Sequence, residues 1–130
     1  VSYGSTCNLA EVAVQQLKEL GVSVELIDAR TLLPFDINGM VAESLAKTNR
    51  LMIVDEDVSS GATAYLLDQI LVKQKGYYQL DSEPVTLAAQ DHRPAYSTDG
   101  DYYSKPSIDD IVEAAYGIMT EADPVSFPAL

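Results

Sequence analysis

Two stretches confine this chain to a small set of folds: Val22-Ser-Val-Glu-Leu-Ile-Asp28 and Leu51-Met-Ile-Val-Asp-Glu-Asp57. Each is a short apolar run that empties into carboxylates, and each lies between segments of helical periodicity. Continuous apolar runs of this length suit strands covered on both faces, as in a parallel sheet. The opening Val1-Ser-Tyr-Gly4 reads as the second half of a strand without an initiator methionine, so the expectation is a piece excised from a longer protein. Asn8 is the expected N-cap of a first helix carrying Leu9, Val12, Ala13, Leu17 and Leu20, with Gly21 as its stop. Pro34 breaks the chain, and Asp36 is expected to cap a helix to about Ala46 despite Gly39. Ser59-Ser60-Gly61 turns into a helix with Ala64, Leu67, Ile70 and Leu71 on one face, ending near Gly76. Pro84 to Ala89 forms a strand, Gln90 to Lys105 a long loop, and Ser107 caps a last helix striped by Ile108, Ile111, Val112, Ala115 and Ile118. The alternation predicts an α/β domain over residues 1–120, three-layered, with a mainly parallel, doubly wound sheet of about five strands, followed by a tail over 121–130.

Charge and composition exclude several functions. Eight basic against twenty acidic residues give a formal net charge of −12, which repels nucleic acid and anionic membrane surfaces and favours basic partners. No apolar run approaches the roughly 18 residues of a membrane span, and no charged segment precedes an apolar one at the start. The expected location is the cytoplasm. Cys7 is the only cysteine, so an internal disulfide or a cysteine-based zinc site is impossible; it reads as a small packing residue rather than a reactive thiol. His92 is the only histidine, which rules out two-histidine mechanisms.

Open parallel sheets gather ligands beyond the carboxyl ends of their strands, which directs attention to Asp28-Ala-Arg30, Asp55-Glu-Asp57 and Gln90-Asp-His-Arg93. The acidic trio has the hard oxygen ligands Mg²⁺ prefers, but strand-end acids more often cap the next helix or pair with an arginine such as Arg30 or Arg50. Gly4-Ser5-Thr6 resembles a phosphate-cradling turn, yet neither a Gly-x-Gly-x-x-Gly run nor a Walker lysine accompanies it. His92 and Arg93 offer a base and an anion clamp, or else a solvated or interfacial pair. Tyr77-Tyr78 and Tyr102-Tyr103 supply amphipathic contact area.

Tyr3-Gly-Ser5, Val24-Glu-Leu-Ile-Asp28, Arg30-Thr-Leu-Leu-Pro-Phe-Asp36, Lys47-Thr48, Val54-Asp-Glu56, Leu80-Asp81 and Pro84-Val85 stand in an order and spacing that resemble one family. It is the C-terminal domain of the β subunit of 2-oxoacid dehydrogenase E1 components, within the transketolase C-terminal domain superfamily. Asp91 to Tyr96 is similar to the family's Asp-x-Pro-x-Pro-Tyr loop, but Ala95 replaces a proline and Arg93 is extra. Gly61-Ala-Thr-Ala64, where paired glycines are usual, is similar to forms that fuse α and β regions in one chain. The resemblance implies a noncatalytic assembly domain of an oxidoreductase acting on pyruvate or branched-chain 2-oxo acids. It implies thiamine diphosphate and Mg²⁺ in the full-length enzyme and neither in this domain, with no catalytic, cofactor or metal residues here. Implied partners are the other E1 domains or the α subunit, the E2 acyltransferase, and a second copy in a homo-oligomer. Asp81 and Glu83 become the expected E2 docking residues, and His92, Arg93 and Tyr96 interface candidates. Alternatives are the C-terminal domain of a transketolase or deoxyxylulose-phosphate synthase and, in another class, a free-standing α/β binding or regulatory module.

Overall fold

Helix α1 occupies Ser5–Glu19 in the computed structural model, which describes all of residues 1–130. It starts directly from Gly4, whose φ of 63° is a left-handed conformation that glycine adopts without strain. The expected cap at Asn8 is therefore corrected: the glycine reverses the chain right behind Tyr3, and Asn8 lies inside the opening turn. The stop is where the sequence placed it. Gly21, at φ 80°, donates to the Lys18 carbonyl at 3.1 Å, and Val22 donates to the Leu17 carbonyl at 2.9 Å, the double closure of a left-handed helix end.

Helix α2, Met40–Thr48, begins later than the pattern suggested, after a left-handed Gly39. Asp36 still satisfies its start: the carboxylate accepts from the Met40 and Val41 amides at 2.9 Å each. Strand β1 is Met52–Val54 and strand β2 is Val85–Leu87, paired in parallel with Met52 opposite Val85. Between them, helix α3 covers Ala62–Leu67 and continues into a π-helical stretch, Asp68–Lys73, and a 3₁₀ turn, Gly76–Gln79. Helix α4, Ile108–Ala122, opens on a reciprocal cap in which Ser107 Oγ accepts from the Asp110 amide at 3.1 Å and the Asp110 carboxylate accepts from the Ser107 amide at 2.8 Å. Beyond Ala122 the chain folds back so that Phe127 meets Tyr116 edge-on, ring centroids 6.0 Å apart. No helix is long and apolar enough to cross a membrane.

The sheet is narrower than the five strands expected. Two strands form a ladder, and Ser2 adds single parallel bridges to Val54 on one side and Asp28 on the other. The spatial order is thus the segment ending at Asp28, then Val1–Tyr3, then β1, then β2. Val22–Ile27 builds no ladder, because Ser2 reaches it only at its end, through Ser2 N–H to the Ile27 carbonyl at 3.0 Å.

Successive residues of β1 point to opposite faces and so define the layers. Ile53 enters a core with Phe35, Val41, Leu45, Leu66 and Ile70, beneath α2 and α3. Val54 enters another with Ala10, Ala13, Leu17, Ile111 and Tyr116, beneath α1 and α4. Helices cover both faces, as an α/β domain requires. A Cβ on Gly76 would stand 2.8 Å from the Ile70 carbonyl oxygen and 2.8 Å from Leu45 Cδ2. Gly76→Ala is expected to destabilise the domain by about 1–2 kcal/mol through this overpacking. Urea unfolding measures it, and an unchanged midpoint would show that the turn moves aside freely.

Candidate partner-binding site

The candidate residues fall at opposite ends of β2, so the structure does not gather them into one site: Asp81 and Glu83 precede the strand, whereas His92, Arg93 and Tyr96 follow it. Asp81 is held at its base by a backbone bond from its amide to the Asn49 carbonyl, 2.9 Å. Its carboxylate grips Arg50 with two bonds, Nε to Oδ1 and Nη2 to Oδ2, both 3.2 Å. Arg50 also reaches Met119 of α4, Nη1 to Sδ at 3.1 Å. Arg50 thus ties the entry of β1 to the entry of β2 and to the last helix, a fork geometry lysine does not reproduce. Glu83 is exposed and has no side-chain partner. Of the two acids it is the one free to meet an external cation.

At the other end, His92 Nδ1 contacts the Arg93 carbonyl at 2.8 Å. Arg93 donates to the Tyr96 hydroxyl at 2.7 Å, with its guanidinium carbon 5.6 Å from the Tyr96 ring centroid. All three side chains are exposed. They form a self-contained loop cluster on the surface, a platform with one cation and one aromatic ring rather than a cleft.

The acids at the end of β1 spread apart instead of converging. Buried Asp55 accepts from the Tyr3 hydroxyl at 2.9 Å; the burial of this phenol, followed by that bond, pushes its pKa up to about 12. Glu56 accepts from Ser5 Oγ at 2.8 Å and lies 3.3 Å from Lys105 Nζ, an ion pair that pushes the lysine pKa up. The Asp57 carboxylate accepts from the Val58 amide at 2.7 Å. No three His, Cys, Asp or Glu side chains are grouped to hold a metal ion. Arginine pairing occurs at Asp28 with Arg30, 3.3 Å, and at Asp81 with Arg50, not at this trio. Lys105 and Tyr3, whose roles no local spacing reveals, tie the loop before α4 and the first extended segment to the end of β1.

The turn at Gly4 cannot take a diphosphate. Ser5 Oγ is committed to Glu56, Thr6 Oγ1 donates to the Tyr3 carbonyl at 2.8 Å, and the carboxylates of Asp55, Glu56 and Asp57 stand alongside. Negative charge at this edge opposes a polyphosphate. Thiamine diphosphate therefore does not fit this turn. Cys7 is buried, and that burial raises its thiol pKa, which suits packing rather than nucleophilic chemistry.

Residues 1–120 match the family model described as transketolase, C-terminal domain. The chain belongs to that family. The domain is 34% identical over 117 residues to the pyruvate dehydrogenase E1 component subunit beta of Acholeplasma laidlawii, covering 89% of this chain and 34% of that subunit. It is 29% identical over 118 residues to the like-named subunit of Rhizobium meliloti, covering 91% of this chain and 25% of the relative. A third relative is the acetoin:2,6-dichlorophenolindophenol oxidoreductase subunit beta of Bacillus subtilis, 34% identical over 119 residues, covering 91% of this chain and 34% of that protein. The domain spans about a third or less of the length of these relatives.

Proposed function

We propose that this domain is the C-terminal assembly domain of the β component of a 2-oxoacid dehydrogenase E1, an oxidoreductase that uses thiamine diphosphate and Mg²⁺ held by other domains. The observation that carries the reading is the match of nearly the whole domain to one portion of E1 β subunits. The geometry of the polar residues agrees with it: Tyr3, Ser5, Asp55, Glu56 and Lys105 are tied to one another as joints between segments. Large apolar side chains stand in solvent at Leu33, 83% exposed, Ile37, 77%, and Tyr78, 80%. Such surface suits burial against the α subunit, other E1 domains or a second copy. A basic E2 acyltransferase domain is the partner proposed for the acidic edge at Glu83 and Asp81, and the loop of His92, Arg93 and Tyr96 is proposed to face E1 partners.

Incubated alone with thiamine diphosphate, Mg²⁺ and pyruvate or branched-chain 2-oxo acids, the domain is expected to show neither turnover nor micromolar cofactor binding. A micromolar complex would need about 8 kcal/mol from a formed site, and its appearance in calorimetry would refute the assignment.

Docking is tested in the parent E1 by titrating an E2 peripheral subunit-binding domain. Glu83→Lys is expected to weaken binding by about 1 kcal/mol at low salt, and the loss should shrink as salt is raised. Glu43→Lys, on α2, serves as the control for net charge. Equal losses for both variants would remove Glu83 from the contact. Asp81→Lys is a poorer probe, because it would set a second cation beside Arg50 and disturb the fold itself.

A further inference from the structure

Three asparagines occur in the chain, at 8, 38 and 49, and the structure treats them differently. Asn8 sits inside α1 and is followed by Leu9, so the backbone on its C-terminal side is fixed by the helix. Asn49 is followed by Arg50, and its side-chain nitrogen donates to the Gln79 carbonyl at 2.8 Å. Asn38 is followed by Gly39 in the turn between Asp36 and α2. It is exposed, and the side-chain bonds of this turn go to Asp36 rather than to it. Gly39 is left-handed, at φ 70°, and a Cβ built on it would meet nothing within 4 Å. The side chain that ordinarily shields the amide after an asparagine is absent here, and so is any neighbour that could replace it. The one backbone bond on the Gly39 amide runs to the Asp36 carbonyl at 3.0 Å, across a turn whose outer residues, Ile37 and Asn38, are in solvent.

Asp99-Gly100 is the only other place where a carboxyl or amide side chain precedes a glycine by one residue, and there the opposite holds. Gly100 is buried, and its amide donates to the Ser97 carbonyl at 3.0 Å. A Cβ on it would stand 2.3 Å from the Ala95 carbonyl oxygen. The packing leaves this amide no room to swing toward the Asp99 carboxyl.

We propose that Asn38 is a self-modifying site, at which attack by the Gly39 nitrogen on the Asn38 side-chain carbonyl converts the asparagine to an aspartyl or isoaspartyl residue. In the attack a bond forms between Gly39 N and Asn38 Cγ, the Cγ–Nδ2 bond breaks, and Nδ2 leaves as ammonia with the proton lost by the Gly39 amide. Water then opens the cyclic imide. Breaking the bond from nitrogen to Cγ gives aspartate; breaking the bond from nitrogen to the main-chain carbonyl carbon gives isoaspartate, whose chain runs through Cβ and Cγ. Both products place a carboxylate near that of Asp36 and between exposed Ile37 and Met40. Only isoaspartate also lengthens the main chain, by a methylene, between Asp36 and the Met40 and Val41 amides that its carboxylate holds at 2.9 Å. Isoaspartate therefore loosens the start of α2, whereas aspartate, at the positive end of the helix dipole, leaves it in place. The inference does not depend on the proposed enzyme role.

The test incubates the folded chain, at mildly alkaline pH for the asparagines and mildly acidic pH for Asp99, each beside the same chain in guanidinium. Peptide mapping by mass spectrometry follows every site. Folded Asn38 is expected to convert within about tenfold of its denatured rate, while isomerisation of Asp99 is slowed by about a hundredfold or more and Asn8 and Asn49 stay unconverted. Asn38→Gln, whose longer side chain disfavours ring closure, should give no product at this position. In the isoaspartyl fraction the Met40 and Val41 amides should exchange about tenfold faster than in the unmodified chain, and in Asn38→Asp they should not. Folding that protects Asn38 as strongly as Asp99, or unchanged exchange at Met40 and Val41 in the isoaspartyl fraction, would overturn the proposal.

Discussion

Ile53→Ala is expected to lower the unfolding free energy by about 3–4 kcal/mol, a large fraction of what holds a domain of this size together. Ile53 is fully buried at the middle of β1. Its side chain is surrounded by Phe35 from the turn before α2, Val41 and Leu45 of α2, Leu66 of α3 and Ile70 of the π-helical stretch, so no flexible neighbour is available to fill the space left behind. The strand backbone is pinned on both sides, to β2 and to Val1–Tyr3, and cannot settle inward. Ile53→Val removes a single methylene and should cost about 1 kcal/mol. Guanidinium unfolding with an unchanged m value is the measurement. A loss below about 1 kcal/mol for the alanine variant would mean that this face of the sheet is not closed.

That face was legible in the sequence because Leu51 to Val54 is apolar without interruption and the helix stripes around it repeat at helical spacing. Ser107 and Gly21 were legible for a local reason: caps and left-handed stops are settled by a few consecutive residues. What failed was non-local. Asn8 is a good capping residue, but the helix start was decided by the left-handed Gly4 before it. The apolar run at Val22 has a strand's composition, yet a strand also needs a neighbour, and Ser2 supplies one only at its end. The change from α- to π-helix after Leu67 follows no residue that the pattern singles out. Asp55 to Asp57 stand just after β1, where the strand pattern placed them. The partners of the acids were not legible, because Tyr3 and Asp55, or Arg50 and Asp81, are joined only when distant segments come together.

The second large effect concerns pH. When the 130 residues are prepared alone with a free amine at Val1, that ammonium has an ordinary pKa of 8.0 and is pushed down to about 6 by desolvation in the folded domain. Between these values the unfolded chain holds a proton that the folded one has released, so stability rises with pH across that window. Below about 6 the full cost of burying the charge is present, and above 8 it is gone. Two pKa units correspond to about 2–3 kcal/mol. The N-acetylated chain lacks this titration while retaining every carboxylate, so subtracting its stability isolates the effect. The free-amine form is expected to lag the acetylated form at pH 5.5 and to close that part of the gap by pH 8.5, values chosen to lie about half a unit outside the window. A difference independent of pH would show that the amine is solvated.

The position of Val1–Tyr3 between the Asp28 segment and β1 has a further consequence for how the molecule comes into being. The middle of the sheet is made from residues that precede its other strands, yet Ser2 hydrogen-bonds to Val54, 52 positions along the chain. On a ribosome these residues emerge ahead of both neighbours, and they pair on the β1 side only once β1 has followed them out of the tunnel. Closing so long a loop before any pairing rewards it slows the search. Synthesis order and assembly order therefore run opposite to each other at the heart of this sheet. Meanwhile α1, complete by Gly21, offers the nascent apolar edge its earliest cover.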